Sequence, residues 1–78
     1  MILSTLAPEP PKTQVIVTGG WASFEPPYFD EYFKERLKAD VPWRERQWGG
    51  GAWAVQVQHL DVLVELIKKA FLSTPEVI

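Results

Sequence analysis

Two glycine-rich turns constrain the fold of this chain more than any other feature. The first, Gly19-Gly20, lies between residues 14–18 and 21–25, which are rich in β-branched and aromatic side chains. The second, residues 49–51, lies between the similar segments 44–48 and 52–57. Because glycine readily adopts the positive φ angles that short hairpin turns require, each segment predicts a β-hairpin.

Each predicted hairpin is followed by apolar residues at helical spacing. After Pro26-Pro27, which can open a helix because a missing N–H is harmless in the first turn, these residues are Phe29, Tyr32, Phe33 and Leu37. After the second hairpin they are Leu60, Leu63, Val64, Ile67 and Phe71. The sequence therefore predicts an α+β domain of two ββα units, with a four-stranded antiparallel sheet and both helices on one face.

The two ends of the chain lack this pattern. Residues 1–13 contain three prolines, and residues 73–78 contain Pro75. Since proline lacks a backbone donor and favours extended conformations, both ends are predicted to be tails. The predicted domain is then the single ββαββα unit at residues 14–72.

The composition favours a soluble cytoplasmic protein. The 78 residues include no cysteine, which excludes disulfides and thiolate zinc sites and is typical of a reducing compartment. The start of the chain lacks the positive charge and apolar run of a signal peptide. The most apolar stretch, residues 60–71, is interrupted by charged side chains, so no membrane partner is expected.

Residues for catalysis are scarce. The single histidine, His59, precedes the second predicted helix, where it is expected to cap that helix or to be exposed. No group of His, Cys and carboxylates has metal-ligand spacing, and the glycine runs lack the context of phosphate-binding loops. The sequence predicts a protein that is not an enzyme, with no catalytic residue, no metal site and no cofactor.

Basic and aromatic residues alternate around the second hairpin, and they form the candidate binding set. That set is Lys38, Trp43, Arg44, Arg46 and Trp48. Such side chains can track phosphates and stack on bases, and they are also enriched in protein interfaces. Trp53 is instead predicted to be core, because it alternates in phase with other apolar residues of its strand.

The orientation of Trp48 is open at this point. On one extended strand Arg44, Arg46 and Trp48 share a face, and a core-facing Trp48 would bring both arginines inside. Either these three residues form a stripe on the open sheet face, or the strand begins later than Arg44. Trp43 is either exposed or covers the edge of the sheet.

One segment resembles a known family. It combines a helix ending in Leu37-Lys38, the step Val41-Pro42, then Arg46-Gln47-Trp48, a glycine-rich turn and Trp53-Ala54-Val55. This order resembles the HARP domain over roughly residues 14–71, with the specific match confined to residues 37–55. The family is associated with DNA binding and strand annealing. The resemblance implies a nucleic-acid module in which Lys38 and Arg46 are basic contacts.

Two functional hypotheses follow. The first is a protein-interaction adaptor or regulator, of the kind that small phage or bacterial proteins provide, which docks on a larger protein and of which a homodimer is a variant. The second is a HARP-like module that contacts single-stranded or branched DNA, or RNA. The net charge of −2 gives nucleic acid little general attraction, so the first is favoured.

Overall fold

The computed structural model describes residues 12–78, in which two hairpins and two α-helices alternate. The predicted tail at residues 1–13 therefore falls almost wholly outside the described residues. The α+β class is confirmed. The elements are β1 (Gln14–Thr18), β2 (Trp21–Phe24), α1 (Glu31–Asp40), β3 (Arg46–Gly49), β4 (Ala52–Gln56), α2 (Leu60–Phe71) and β5 (Glu76–Val77), with short 3-10 turns at Trp43–Glu45 and Val57–His59.

Both hairpins close through glycine pairs with positive φ angles. The angles are 60° and 82° at Gly19 and Gly20, and 60° and 80° at Gly50 and Gly51. Positive φ at both central positions is the type I′ turn, whose twist matches that of the flanking strands. The glycine runs thus form the turns that the sequence predicts.

The sheet has five strands in the order β3-β4-β2-β1-β5. Strands β2 and β4 join the two hairpins in antiparallel register, and β5 pairs with β1 in parallel. The prediction of a four-stranded, purely antiparallel sheet is therefore wrong, and the sheet is mixed.

The fifth strand comes from residues 73–78, so the prediction that this segment is a tail is wrong as well. Pro75 is buried, and Glu76 donates its backbone N–H to the Thr13 carbonyl at 3.0 Å. Ile78 N–H bonds the Val15 carbonyl at 2.8 Å, and Val17 N–H bonds the Ile78 carbonyl at 2.9 Å. Backbone bonds hold this segment, and a two-residue strand has no periodicity for a sequence to display.

One face of the sheet and both helices enclose the hydrophobic core. Phe24 of the sheet, Phe33 of α1 and Phe71 of α2 pack their rings with centroids 5.5 to 5.7 Å apart. The buried cluster also contains Val15, Ala22, Leu37, Val41, Trp53, Val55, Leu63, Leu66 and Ile67. The opposite sheet face carries small, polar and partly exposed residues such as Ile16, Ser23 and Ala54.

Helix α1 begins later than the proline pair suggests. Asp30 caps it, with Oδ1 accepting the Phe33 N–H at 2.8 Å from an extended backbone. The predicted apolar face is therefore only half right, because Phe33 and Leu37 are buried whereas Tyr32 is exposed and Phe29 precedes the helix. Residues 25–29 form a loop between β2 and α1.

His59 precedes α2 but makes no side-chain cap. Its Nε2 instead lies 2.5 Å from Glu45 Oε1, and the side chain is only 18% exposed. The expectation that His59 caps the helix or is exposed is therefore wrong, because His59 forms a partly buried pair with Glu45. This contact ties the segment before β3 to the start of α2.

Candidate binding groove

A groove of about 540 Å³ opens between helix α1, with its preceding loop, and the β3–β4 hairpin. We call it the aromatic groove. Its lining includes Pro26, Tyr28, Phe29, Asp30, Phe33, Lys34, Lys38, Trp43, Arg46, Gln47, Trp48, Gly51 and Trp53. A concave, largely apolar site with a few polar groups is the usual form of a ligand site.

The hairpin wall is built by a pair of tryptophans. Trp48 is opposite Trp53 in the β3–β4 register, and their ring centroids are 4.9 Å apart. Residues opposite each other share a sheet face, so Trp48 points to the side on which the helices pack. Because β3 is an edge strand, Trp48 stays 57% exposed while Trp53 is only 8% exposed. Trp53 is confirmed as core.

This register decides whether Arg44 and Arg46 share the open sheet face with Trp48. Strand β3 begins at Arg46, so Arg44 lies outside it, in the 3-10 turn. The alternative of an Arg44, Arg46 and Trp48 stripe on the open sheet face is therefore wrong. The other alternative, a strand that begins later than Arg44, is confirmed.

Arg46 shares the helix-side face with Trp48, and its guanidinium group has hydrogen-bond partners there. The guanidinium donates to the Val41 carbonyl at 2.5 Å and, at the limit of hydrogen bonding, to the Lys38 carbonyl at 3.5 Å. These carbonyls lie at the C-terminal end of α1, where a helix leaves acceptors without partners and favours positive charge. Arg46 thereby links β3 to the helix across the groove.

Trp43 and Arg44 lie in the 3-10 turn between α1 and β3. Trp43 is 70% exposed and lines the groove, so of its two predicted locations the exposed one is confirmed. Arg44 stacks over the Trp43 ring at 5.2 Å and does not line the groove. The structure thus brings together four of the five candidate residues, Lys38, Trp43, Arg46 and Trp48, and leaves Arg44 outside the groove lining.

The opposite wall was not predicted. Tyr28, whose ring packs edge-on against Phe71 at 5.1 Å, and Phe29, which is 71% exposed, come from the loop before α1. Lys34 lies over the Phe29 ring at 5.6 Å. The spacing assigned Phe29 to the helix. The sequence signal for the loop is Asp30, because an aspartate at the N-cap places Tyr28 and Phe29 before the helix.

The groove is mildly basic, and its cations differ in how far they are already paired with other groups of the protein. Lys34 pairs with Glu31 at 3.3 Å and with Glu35 at 3.7 Å, and Arg46 is engaged by carbonyls. Lys38 is exposed, and within residues 12–78 no carboxylate lies within ion-pair distance of its ammonium group. It is the cation in the groove that a ligand can reach most directly.

The groove offers apolar contact and one accessible cation. Among residues 12–78 no cluster of His and carboxylates could hold a metal ion. The His59–Glu45 pair lies outside the groove lining. The arrangement can therefore bury and orient a ligand.

Neither helix of the described part is long and apolar enough to cross a membrane. No protein-family model, curated protein or solved structure gave a significant match to this chain.

Proposed function

We propose that this protein is a non-enzymatic binding module, an adaptor or regulator that docks on a segment of a larger protein through the aromatic groove. The observation that carries the proposal is the convergence of Phe29, Trp43 and Trp48, all more than half exposed, on one concave surface. Aromatic side chains in such positions are typical of interface hot spots.

The energy available supports this use. Covering the exposed part of each of these rings would remove on the order of 100 Å² from water, which is about 2–3 kcal/mol per ring. Association of two proteins costs roughly 4–15 kcal/mol in lost freedom. Three rings together supply roughly 6–9 kcal/mol, which is comparable to this cost, so further backbone and polar contacts are needed to leave a net affinity.

Panning a phage-displayed library of random dodecapeptides against the immobilised chain tests the proposal. Enriched peptides should bind the unmodified protein and lose affinity for the Trp43→Ala variant, because Trp43 is exposed and its loss leaves the core intact. The matched control is Tyr32→Ala, which removes an exposed ring of α1 outside the groove. No enrichment, or equal binding to all three proteins, would contradict the proposal.

Nucleic acid is the second candidate ligand. The observation that favours it is the stacking of Arg44 on Trp43 beside Lys38, since bases stack on exposed rings while cations contact phosphates. The HARP-like segment at residues 37–55 points the same way.

The number of free cations limits this second function. With Lys34 and Arg46 engaged, Lys38 and Arg44 would neutralise about two phosphates, which predicts a slope of log affinity against log salt of roughly −1.4 for a single strand. An anisotropy titration with fluorescent oligothymidine at two salt concentrations measures that slope. Binding that weakens with added salt at about this slope would support nucleic acid as the ligand, and no anisotropy change at low salt would exclude it.

A further inference from the structure

The two hairpins present equivalent outer edges, and within residues 12–78 only one of them is paired. On β1 the outward groups are those of Val15 and Val17, which bond to Ile78 at 2.8 and 2.9 Å. The chain's own C-terminal segment thus adds a strand to the first hairpin.

The alternation of hydrogen-bonded pairs along the second hairpin identifies which backbone groups of β3 face outward. In a hairpin with a two-residue turn, the residues flanking the turn bond each other and the pairing then alternates. Gly49 therefore bonds Ala52, Gln47 bonds Ala54, and the N–H and C=O groups of Arg46 and Trp48 face outward. No backbone hydrogen bond from elsewhere in the described part reaches these groups.

The aromatic groove runs along this free edge. Arg46, Gln47 and Trp48 all line it, although consecutive side chains of a strand point to opposite faces. A groove that touches all three residues meets the strand at its edge. A ligand in the groove is thereby placed beside unpaired backbone donors and acceptors.

We propose that the groove binds an extended segment of a partner protein, which pairs with β3 as an additional strand. This inference rests on the proposed function and names its ligand. Alternate side chains of the segment would lie against Trp48 and Phe29, and an acidic side chain would reach Lys38. Backbone pairing would give affinity, and the side-chain contacts would give specificity.

The charge of the site favours a foreign segment over a second copy of this chain. Strand β3 itself reads Arg-Gln-Trp-Gly, without a carboxylate. In a β3–β3 dimer each copy would bring another cation, Arg46, and no carboxylate to a groove whose Lys38 has no ion-pair partner within residues 12–78. An acidic, apolar segment complements the groove instead.

Amide exchange with water, measured by NMR magnetisation transfer on the full chain with the selected dodecapeptides, tests the inference. At a peptide concentration about ten times the dissociation constant, exchange at the Arg46 and Trp48 amides should slow roughly tenfold. The Gln47 amide, which already faces β4, is the internal control and should not change. Methylating alternate backbone nitrogens of the peptide should also weaken binding by about tenfold or more.

The outcomes separate the two proposals. If panning yields no groove-dependent binder, the proposed function fails. If binders require Trp43 but leave the Arg46 and Trp48 amides unprotected, or if they carry apolar residues at helical spacing, strand addition is wrong and the binding module stands. If sedimentation of the free protein shows a dimer that the peptides dissociate, a second copy replaces the foreign segment as the natural occupant.

Discussion

Trp48 lies against Trp53 across the β3–β4 hairpin, with ring centroids 4.9 Å apart. The helices leave this edge of the sheet uncovered, so Trp48 shields Trp53 from water and remains 57% exposed itself. One side chain is therefore both a cover for the core and a wall of the aromatic groove. This dual position couples the stability of the hairpin to its capacity to bind.

We expect Trp48→Ala to lower the free energy of unfolding by about 1–2 kcal/mol, because the ring pair is lost and part of Trp53 becomes exposed. Trp48→Phe should recover about half of that loss, since a smaller ring still covers Trp53. Urea denaturation followed by circular dichroism measures both variants. Equal midpoints for Trp48→Ala and the unmodified protein would show that Trp48 does not cover the core.

Arg46 and Arg44 make different contacts, although both are arginines that shortly precede Trp48 in the sequence. Arg46→Ala removes the donor to the Val41 and Lys38 carbonyls, and we expect a loss of about 1.5–3 kcal/mol, the usual worth of a hydrogen bond from a charged group. Arg44→Ala is the matched control and should cost at most about 0.5–1 kcal/mol, since Arg44 only stacks on an exposed ring. Similar losses in both variants would contradict the bond between β3 and the end of α1.

The sequence carries the local signals of this fold. Glycine pairs specify both turns, because few other residues adopt positive φ at low cost. Helical spacing likewise identifies α2, whose Leu63, Ile67 and Phe71 are all buried.

The features that could not be predicted from the sequence depend on contacts between residues that are far apart in the chain. The sheet face of Trp48 follows from its register opposite Trp53, and Arg46 on the same face is accommodated by its bond to the Val41 carbonyl at the end of α1. The far wall of the groove depends on Asp30 capping α1, which leaves Phe29 in the preceding loop. Strand β5 is held by backbone bonds to β1, which no side-chain pattern records.

Strand β5 gives a direct test of the corrected topology. Deleting residues 76–78 removes three backbone hydrogen bonds to Thr13, Val15 and Val17, at about 1 kcal/mol each, so we expect a loss of about 2–3 kcal/mol. Val77→Ala keeps the backbone and trims a partly exposed side chain, so its cost should stay below about 1 kcal/mol. Thermal unfolding followed by circular dichroism compares the two, and an unchanged midpoint after the deletion would mean that the segment is a tail.

Helix α2 ends at Leu72, which adopts φ 53° and ψ 39° with its side chain 76% exposed. A left-handed conformation costs a residue with a Cβ atom about 1–2 kcal/mol, and glycine adopts it freely. We therefore expect Leu72→Gly to stabilise the protein by about 1 kcal/mol in urea denaturation. Leu72→Ala keeps a Cβ atom and should leave stability nearly unchanged. A destabilised glycine variant would show that the Leu72 side chain contributes more than its backbone strain costs.

Lys38 and Lys69 allow the charge of the groove to be tested by itself. Both are exposed lysines in the last turn of a helix, but only Lys38 lines the aromatic groove. If the ligand is an acidic extended segment, Lys38→Glu removes an attraction worth about 1 kcal/mol and adds a repulsion of about 1 kcal/mol. The affinity for the selected peptides should then fall roughly tenfold or more. Lys69→Glu changes the net charge equally and should leave affinity within about twofold, because Lys69 does not line the groove and salt screens charges that make no direct contact. Tryptophan fluorescence titrations at low and high salt measure both variants, and the loss in Lys38→Glu should shrink as salt is added. Equal losses in the two variants would mean that net charge, and not the position of Lys38, governs binding.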